Sequence, residues 1–229
     1  MAVLAIAHRG DPIGCVENTL PAFEASVRAG ADMIELDVQR TSDGAVVVVH
    51  DVTLQRIWGL SRRVGETTLA AVRALGEGER RIPEFADVLA AVDLPVMVDF
   101  KRTDVVEPAL EVVRAAGALE RCLFSGGNVE GHRLLRSLAP EARIALTWED
   151  RRLPADALLD ELEVEYLNPR FSVVESRMID AMRERGTGVS TWTIDESREL
   201  ARALGLGVDA IVTNRMDRLR AALAEGVRC

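Results

Sequence analysis

Short apolar runs alternate with longer amphipathic segments along all 229 residues of the chain. Nine runs are rich in Val, Ile and Leu and are mostly bounded by Gly, Pro, Asp or Asn, which is typical of buried strands. They span residues 3–7, 33–38, 46–49, 96–100, 122–125, 144–148, 165–168, 189–193 and 210–213. Because parallel strands need a crossover between them, this alternation favours a sheet whose strands are joined by helices.

The segments between the runs have the features of amphipathic helices. The first, residues 19–29, has Thr19 as a candidate N-cap and Pro21 in its first turn, and it ends at Gly30. The others span residues 83–92, 105–116, 129–138, 155–162, 174–185, 196–204 and 216–224.

The run 46–49 follows the run 33–38 across a Ser-Asp-Gly turn at residues 42–44, so we expect these two to form a small β-hairpin extension after the second strand. Without it, eight strand–helix units remain. They predict an α/β fold, a (β/α)8 barrel, as a single domain over residues 1–229. An open doubly wound sheet is the alternative, but no Gly-rich fingerprint follows the first strand.

Charge and composition exclude several partners. The chain has 28 Lys and Arg against 37 Asp and Glu, a net charge of −9, which disfavours non-specific binding to nucleic acid or anionic membranes. Cys15, Cys122 and Cys229 are too widely spaced to indicate disulfides or a zinc cluster. No apolar run approaches the roughly 20 residues that span a bilayer, and the N-terminus lacks a signal peptide's basic region. We therefore expect a cytoplasmic protein without stable membrane insertion.

Two of the three histidines end predicted strands, which is where barrel enzymes carry catalytic groups. His8 ends the first run and is followed by Arg9, and His50 follows the hairpin run. His132 lies within a helical segment, so we expect a packing or surface role for it.

Carboxylates follow the same rule. Glu35 and Asp37 are two residues apart near the end of the second strand, so their side chains project to one face and repel each other unless a cation lies between them. Asp99 and Lys101 repeat this spacing on a later strand. A plain ion pair between those two would explain that strand, but it would leave Glu35 and Asp37 without a partner.

Hard oxygen ligands of this kind suit Mg²⁺ or Ca²⁺ better than zinc. Such a cation would bind phosphate oxygens, Lys101 and Arg9 would neutralise the same group, and the histidines would transfer protons near neutral pH. The residues alone therefore predict metal-assisted phosphoryl chemistry and leave the reaction subtype open.

A resemblance narrows this prediction. In their order along the chain, a set of motifs resembles the glycerophosphodiester phosphodiesterase family over nearly the whole length. The motifs are His8-Arg9-Gly10, Glu17-Asn18-Thr19-Leu20-Pro21-Ala22-Phe23, Gly30-Ala31-Asp32, Glu35-Leu36-Asp37-Val38, His50-Asp51, Asp99-Phe100-Lys101 and Gly207-Val208-Asp209-Ala210-Ile211-Val212-Thr213.

The resemblance implies hydrolysis of a small glycerophosphodiester to glycerol 3-phosphate and an alcohol at a divalent cation, Mg²⁺ or Ca²⁺. It implies that His8 and His50 are catalytic and that Glu35, Asp37 and Asp99 bind the metal. The substrate-binding positions that it implies are Arg9, Glu17, Asn18, Lys101 and Trp192.

The chain departs from the family pattern at a few positions. Asp99 stands where Glu is usual, Asn214 stands in a Thr-Asp-Arg-Pro motif, and no aromatic residue follows Ser125. The related sphingomyelinases D resemble this chain in having Asp at the position of Asp99. Because both histidines and all three carboxylates are present, the departures bear on substrate identity more than on chemistry.

Other functions stay open. A lysophospholipase D or sphingomyelinase D-like enzyme acting on intact lysolipids would need an apolar surface beside the barrel mouth. A non-catalytic phosphodiester-binding barrel would show losses among the histidines and carboxylates, and none is missing. The attacking group is either water or the glycerol 2-hydroxyl through a cyclic phosphate, and the resemblance to related barrels favours the second. The head group, the metal used and the oligomeric state are not fixed by the sequence.

Overall fold

One sheet of nine strands forms the centre of the part of the chain that the computed structural model describes, residues 3–225. Met1 and Cys229, the ends of the predicted 1–229 domain, lie outside these residues. The strands are β1 Leu4–His8, β2 Met33–Arg40, β3 Val46–Val48, β4 Val96–Phe100, β5 Cys122–Gly126, β6 Arg143–Trp148, β7 Tyr166–Pro169, β8 Gly188–Thr191 and β9 Ala210–Thr213. Each overlaps one of the nine predicted runs.

The sheet closes into a barrel. Its order is β1-β9-β8-β7-β6-β5-β4-β2-β3, and β1 also pairs with β2, so eight parallel strands form a complete ring. The strand β3 pairs only with β2, in the antiparallel direction, and forms the predicted hairpin extension. The prediction of a (β/α)8 barrel with a hairpin after the second strand is therefore confirmed, and the open-sheet alternative is wrong because the first and last parallel strands pair.

Helices surround the barrel. They are α1 Leu20–Arg28, α2 Gln55–Trp58, α3 Leu69–Arg73, α4 Phe85–Ala91, α5 Val106–Ala115, α6 Val129–Leu138, α7 Asp156–Leu162, α8 Ser176–Arg185, α9 Ser197–Leu206 and α10 Met216–Glu225. Eight of them correspond to predicted segments. Among the described residues, no helix combines the length and the apolar character needed to cross a bilayer.

The residues that predicted the ends of the first helix lie at those ends in the structure. Thr19 is the N-cap residue of α1 and Pro21 lies in its first turn, as predicted, and Gly30 after the helix has a left-handed φ of 84°. However, the Thr19 side chain does not cap the helix. Its hydroxyl donates a hydrogen bond to the Val16 carbonyl at 2.7 Å, which fixes the preceding loop instead.

The two short helices α2 and α3 were not predicted, because four or five residues are too few to show a helical period. They belong to the segment between β3 and α4, which has a small apolar core of its own. That core includes Val49, Leu54, Val64 and Val72, with Trp58 packed against it. The segment is therefore held as a fixed wall beside the barrel mouth.

Side-chain alternation on the strands separates two layers. Ile34 and Leu36 of β2 pack outward in the main core between barrel and helices, whereas Met33 points inward with Ile6 of β1 and Met97 of β4. Glu35 and Asp37 continue the inward face of β2 beyond Met33, because side chains two residues apart share a face. The barrel interior is thus apolar toward the amino ends of the strands and polar at their carboxyl ends.

His132 has the packing role that its helical segment indicated. It is fully buried in α6, its Nε2 lies 2.9 Å from the Gly126 carbonyl oxygen, and its ring centroid lies 4.7 Å from that of Phe100. Burial lowers the pKa of His132 from 6.5 to about 4. At neutral pH this residue is therefore an uncharged part of the core.

The stability of the fold should depend on pH through His132. Below pH 6.5 the unfolded chain binds a proton at this residue that the folded chain does not, so stability present at neutral pH is lost as the pH falls toward 4. Between pH 7 and pH 5 this loss should be about 2 kcal/mol. Urea unfolding at both pH values, with wild type and His132→Gln, measures it.

The variant keeps an amide N–H for the Gly126 carbonyl but has no group that titrates in this range. It should be less stable than wild type at pH 7 and should lose about 2 kcal/mol less on going to pH 5. Equal losses in the two proteins would show that His132 is not buried in its neutral form.

Candidate active site

A cavity of about 660 Å³ opens at the carboxyl ends of the barrel strands. The last inward residues of β1, β2 and β4 form one side of it, where His8, Glu35, Asp37 and Asp99 lie together. Strands β6 and β7 and Trp192, the residue directly after β8, contribute to the other side. The strand ends that the sequence singled out therefore meet in a single cavity.

Three carboxylates form the most strongly charged part of this cavity. Asp37 of β2 lies directly opposite Asp99 of β4 in the strand register, and Glu35 lies one inward position deeper. One oxygen from each lies within 4.8 Å of the other two. Burial and the charges of Asp37 and Asp99 raise the pKa of Glu35 well above its ordinary value, and burial and Asp37 raise that of Asp99 to about 6. A cation would relieve this repulsion.

Two cations already contact the cluster. Lys101 Nζ lies 2.9 Å from Asp37 Oδ1 and 3.9 Å from Asp99 Oδ2, and Arg9 Nε lies 3.3 Å from Asp37 Oδ2. Although burial alone would raise it, Lys101 and Arg9 hold the pKa of Asp37 below its ordinary value. Asp37 is therefore ionised while its two carboxylate neighbours resist ionisation.

This geometry corrects one interpretation of the sequence. A plain ion pair between Lys101 and Asp99 would leave Glu35 and Asp37 without partners. In the structure, the closer contact of Lys101 is with Asp37. Glu35 accepts the backbone N–H of Arg9 at 2.9 Å, and no cationic side chain within residues 3–225 forms a salt bridge with it. Glu35 is thus the carboxylate whose charge is least compensated.

The loop after β1 is shaped around the cluster. Arg9 and Asn18 both adopt left-handed backbone conformations, with φ of 58° and 57°, which are uncommon away from glycine and typical of functional loops. In this conformation Asn18 Nδ2 donates to Asp37 Oδ2 at 2.9 Å. Glu17 Oε1 accepts a hydrogen bond from Arg9 Nη1 at 2.9 Å. The loop therefore fixes Asp37 and Arg9 together.

His8 is oriented by an amide. Its Nδ1 lies 2.8 Å from Asn214 Oδ1, while Asn214 Nδ2 donates to Asp195 Oδ2 at 2.8 Å. Because the amide nitrogen is committed to Asp195, the amide oxygen faces His8 and the imidazole carries its proton on Nδ1. Burial and the charge of Arg9 lower the pKa of His8. The Nε2 lone pair is thus available to accept a proton.

His50 is oriented by a carboxylate. Its Nδ1 lies 2.7 Å from Asp51 Oδ1, and Arg56 Nη2 donates to that same Asp51 oxygen at 3.0 Å and to Glu17 Oε1 at 2.7 Å. Hydrogen bonds from Arg56 and then from His50 lower the pKa of Asp51 to about 2. The carboxylate at Nδ1 fixes the orientation of the His50 ring, so Nε2 is the ring nitrogen that remains for a substrate.

The predicted site residues fall into two groups. Eight of them line the cavity, namely His8, Arg9, Glu35, Asp37, His50, Asp99, Lys101 and Trp192. Glu17 contacts Arg9, and Asn18 contacts Asp37, but neither Glu17 nor Asn18 lines the cavity. That these two residues contact the substrate therefore stays a prediction. The structure does show their hydrogen bonds to Arg9 and Asp37.

Several residues of the site were not found from the sequence. Asp51 had a signal, since it directly follows His50 at a strand end. Asn214 appeared only as a departure from the family pattern, and the sequence indicated no role for Arg56. No feature of the sequence indicated Asp195, because its contact with Asn214 joins two loops that are distant in the sequence.

The fold and the site define a class of protein. A closed (β/α)8 barrel carries clustered carboxylates, two cations and two imidazoles with different partners at the end where barrel enzymes have their active sites. This is the arrangement of an enzyme that binds an anionic substrate and transfers protons to and from it.

Comparison with known proteins identifies the family. The model of the glycerophosphoryl diester phosphodiesterase family matches residues 8–218. A glycerophosphodiester phosphodiesterase of Caldanaerobacter subterraneus is 29% identical, over 96% of this chain and 97% of its own. A probable glycerophosphodiester phosphodiesterase 2 of Mycobacterium tuberculosis is 30% identical, over 96% of this chain and 90% of its own. The chain belongs to the glycerophosphoryl diester phosphodiesterase family, as the sequence motifs indicated.

Solved structures agree on the fold. The structure of an Oleispira antarctica phosphodiesterase in complex with the product sn-glycerol-3-phosphate superposes with a TM-score of 0.89 at 21% sequence identity. The match covers 97% of each chain.

The carboxylate cluster predicts a stability change on metal addition. A cation bound at 100 times its Kd should stabilise the fold by about 2.7 kcal/mol and raise the Tm by about 5 °C or more. Glu35→Gln should remove most of this increment without lowering the Tm in EDTA, because Glu35 is the least compensated charge. Differential scanning calorimetry in EDTA, Mg²⁺ and Ca²⁺ measures it.

Asp104→Asn is the matched control, since it removes an exposed carboxylate that pairs with Arg102 outside the cluster. This variant should keep the wild-type response to metal. A response of wild-type size in Glu35→Gln would contradict cation binding at the cluster.

Proposed function

We propose that this protein hydrolyses glycerophosphodiesters to glycerol 3-phosphate and an alcohol, with Mg²⁺ or Ca²⁺ as its cofactor. One observation carries the proposal: three carboxylates, two cations and two differently oriented imidazoles line one cavity. Membership of the phosphodiesterase family and the product complex of the Oleispira antarctica relative support the choice of substrate.

The donor set fits a hard divalent cation. Glu35, Asp37 and Asp99 offer only carboxylate oxygens, and burial together with mutual repulsion raises the pKa of Glu35 and of Asp99. These three residues would hold the cation. When bound, it supplies positive charge to the phosphate oxygens of the substrate and to the charge that develops on them.

Arg9 and Lys101 orient the phosphate. Both line the cavity and both contact Asp37, so their charged groups lie at the edge of the carboxylate cluster. A phosphodiester bound there meets two fixed cationic groups, which hold it in one orientation and neutralise its charge. Lys101 Nζ is partly exposed and can move from Asp37 to a phosphate oxygen.

His8 acts as the base and His50 as the acid. The neutral Asn214 amide leaves Nε2 of His8 unprotonated, so this atom accepts the proton of the attacking hydroxyl, whether from water or from the glycerol 2-hydroxyl. The Asp51 carboxylate holds the His50 ring through Nδ1, and Nε2 of His50 delivers a proton to the leaving alcohol oxygen. The difference between an amide and a carboxylate partner therefore separates the two roles.

A second candidate, hydrolysis of intact lysolipids, is favoured by one feature. Four large apolar residues are exposed in residues 3–225, and three of them, Ile13, Val52 and Leu153, lie in segments that follow strand ends at the barrel mouth. An acyl chain would find apolar contacts there. Turnover of lysophosphatidylcholine against glycerophosphocholine distinguishes the two candidates.

The main proposal predicts metal-dependent activity that requires His8. Wild-type protein should release glycerol 3-phosphate from glycerophosphocholine and glycerophosphoethanolamine with Mg²⁺ or Ca²⁺ and not in EDTA. Removing the base by His8→Ala should lower kcat/KM by about 10²- to 10⁴-fold. A coupled assay for glycerol 3-phosphate measures both effects.

His132→Gln serves as the control, because this histidine lies in the core and not in the cavity. Its kcat/KM should stay near the wild-type value at pH 7. Hydrolysis that persists in EDTA, or at an unchanged rate in His8→Ala, would overturn the proposed mechanism.

A further inference from the structure

We propose that Arg56 is a positioning residue for His50. It ties the chain segment that carries His50, residues 49–66, to the loop after β1, residues 9–19, and so holds the two histidines of the cavity at a fixed separation. The inference rests on the proposed function, in which His8 is the base and His50 is the acid. The hydrogen bonds of Arg56 to Asp51 and Glu17 carry it.

His50 does not belong to the barrel ring. It follows β3, and the strand with which β3 pairs is β2, in the antiparallel direction. His8, in contrast, ends β1, which pairs with a ring strand on each side. The separation of the two imidazoles therefore depends on contacts between loops as well as on the barrel itself.

Backbone contacts fix His50 relative to β2. Gln39 Nε2, on β2, lies 3.0, 3.0 and 2.6 Å from the carbonyl oxygens of three successive residues, 49 to 51. The backbone N–H of Val49 donates to the Asp37 carbonyl at 2.9 Å. None of these bonds involves the loop after β1, so they do not by themselves fix the distance between His50 and that loop.

Arg56 supplies the link to the loop after β1. Its Nη2 donates to Glu17 Oε1 at 2.7 Å and to Asp51 Oδ1 at 3.0 Å, and its Nη1 donates to Glu17 Oε2 at 3.1 Å. Within residues 3–225, no other hydrogen bond or salt bridge joins residues 9–19 to residues 49–66. In this part of the chain, the Arg56 guanidinium is therefore the one polar tie between the two segments.

The link extends to a functional group at each end. His50 Nδ1 lies 2.7 Å from Asp51 Oδ1, and Arg9 Nη1 donates to Glu17 Oε1 at 2.9 Å. Since the pKa of Asp51 is about 2, its carboxylate is an acceptor near neutral pH and His50 Nδ1 is the donor. One chain of hydrogen bonds thus runs from the proposed acid, through Arg56, to the arginine proposed to hold the phosphate.

Loss of Arg56 would leave two carboxylates close together without the cation that they share. The side chains of Glu17 and Asp51 are 15% and 24% exposed, and both accept from the same nitrogen of Arg56. Without its charge the two carboxylates repel each other. We expect residues 49–66 to move away from the loop after β1, and His50 to move with them.

Arg56 itself is mounted on a fixed element. It lies in α2, where Leu54 before the helix is fully buried and Trp58 at its end packs against the small apolar core of this segment. The Arg56 side chain is half exposed, and a single exposed ion pair contributes little. A planar fork bound to two carboxylates that are more buried than itself, however, fixes the geometry of both.

Dependence on the leaving group tests the positioning of His50. Arg56→Gln should lower kcat/KM for glycerophosphocholine by about 10- to 100-fold, part of what a general acid contributes, and most of this loss should be in kcat. On the 4-nitrophenyl ester of glycerol 3-phosphate the loss should be less than about 3-fold, because 4-nitrophenolate leaves without a proton. Losses of equal size on the two diesters would overturn the positioning role.

Arg73→Gln is the matched control. It removes another exposed arginine, which pairs with Glu84 outside the cavity, and should keep the wild-type rate on both diesters. Arg56→Lys keeps a cation between the two carboxylates, so its rate on glycerophosphocholine should lie between those of wild type and Arg56→Gln. A rate no higher than that of Arg56→Gln would contradict the role of the shared cation.

A double-mutant cycle tests whether Arg56 acts through Asp51. On glycerophosphocholine, Asp51→Asn/Arg56→Gln should be no more than about 3-fold slower than Asp51→Asn alone, because the contact that Arg56 supports is already lost. Losses that multiply in the double variant would show that Arg56 acts independently of Asp51 and would overturn the inference.

Crystal structures separate failure of this inference from failure of the proposed function. Relative to His8, the His50 ring should lie about 1 Å or more from its wild-type position in Arg56→Gln, a displacement large enough for the expected loss of rate. It should not move in Arg73→Gln. If wild type hydrolyses neither diester but His50 is displaced in this way, the proposed function fails and the positioning role holds. An unmoved His50 in Arg56→Gln overturns the positioning role, whatever the activity.

Discussion

Repulsion among three carboxylates, two of them buried and one half-buried, is the interaction around which the rest of the site is arranged. Asp37 and Asp99 lie opposite each other on adjacent strands, and Glu35 lies below them on the same inward face. Lys101 and Arg9 offset this charge in part and are themselves placed by it. The left-handed loop after β1, which holds Asn18 against Asp37, is a further consequence of keeping these groups fixed. A divalent cation bound here would complete the balance.

The barrel makes this concentration of charge tolerable. Its interior below the site is filled by Ile6, Met33 and Met97, so the apolar residues that stabilise the ring lie deeper on the same strand faces. Strand alternation sends Ile34 and Leu36 outward into the core against the helices. The apolar residues that stabilise the ring and the charged residues of the candidate active site therefore lie at different depths on the same strands. The charged residues lie at the end of the barrel that opens to solvent.

The sequence correctly predicted the structural features that follow from the periodic spacing of apolar residues. All nine strands, the hairpin and the shared face of Glu35 and Asp37 followed from local patterns and were confirmed. What it missed depends on contacts between distant loops: the Asn214–Asp195 pair behind His8, and Arg56 linking Asp51 to Glu17. It offered a Lys101–Asp99 ion pair only as an alternative and did not foresee the closer contact with Asp37, because strand parity fixes the face of a long side chain but not which of two nearby carboxylates its end reaches.

Strands β1, β2 and β4 bring His8 and the three carboxylates to one side of the cavity, where we propose that a cation binds. Anomalous diffraction from crystals soaked in Mn²⁺ tests this binding most directly. Cation binding at the cluster predicts an anomalous peak bonded to carboxylate oxygens of Glu35, Asp37 and Asp99. A peak elsewhere, with none at these three residues, would contradict it.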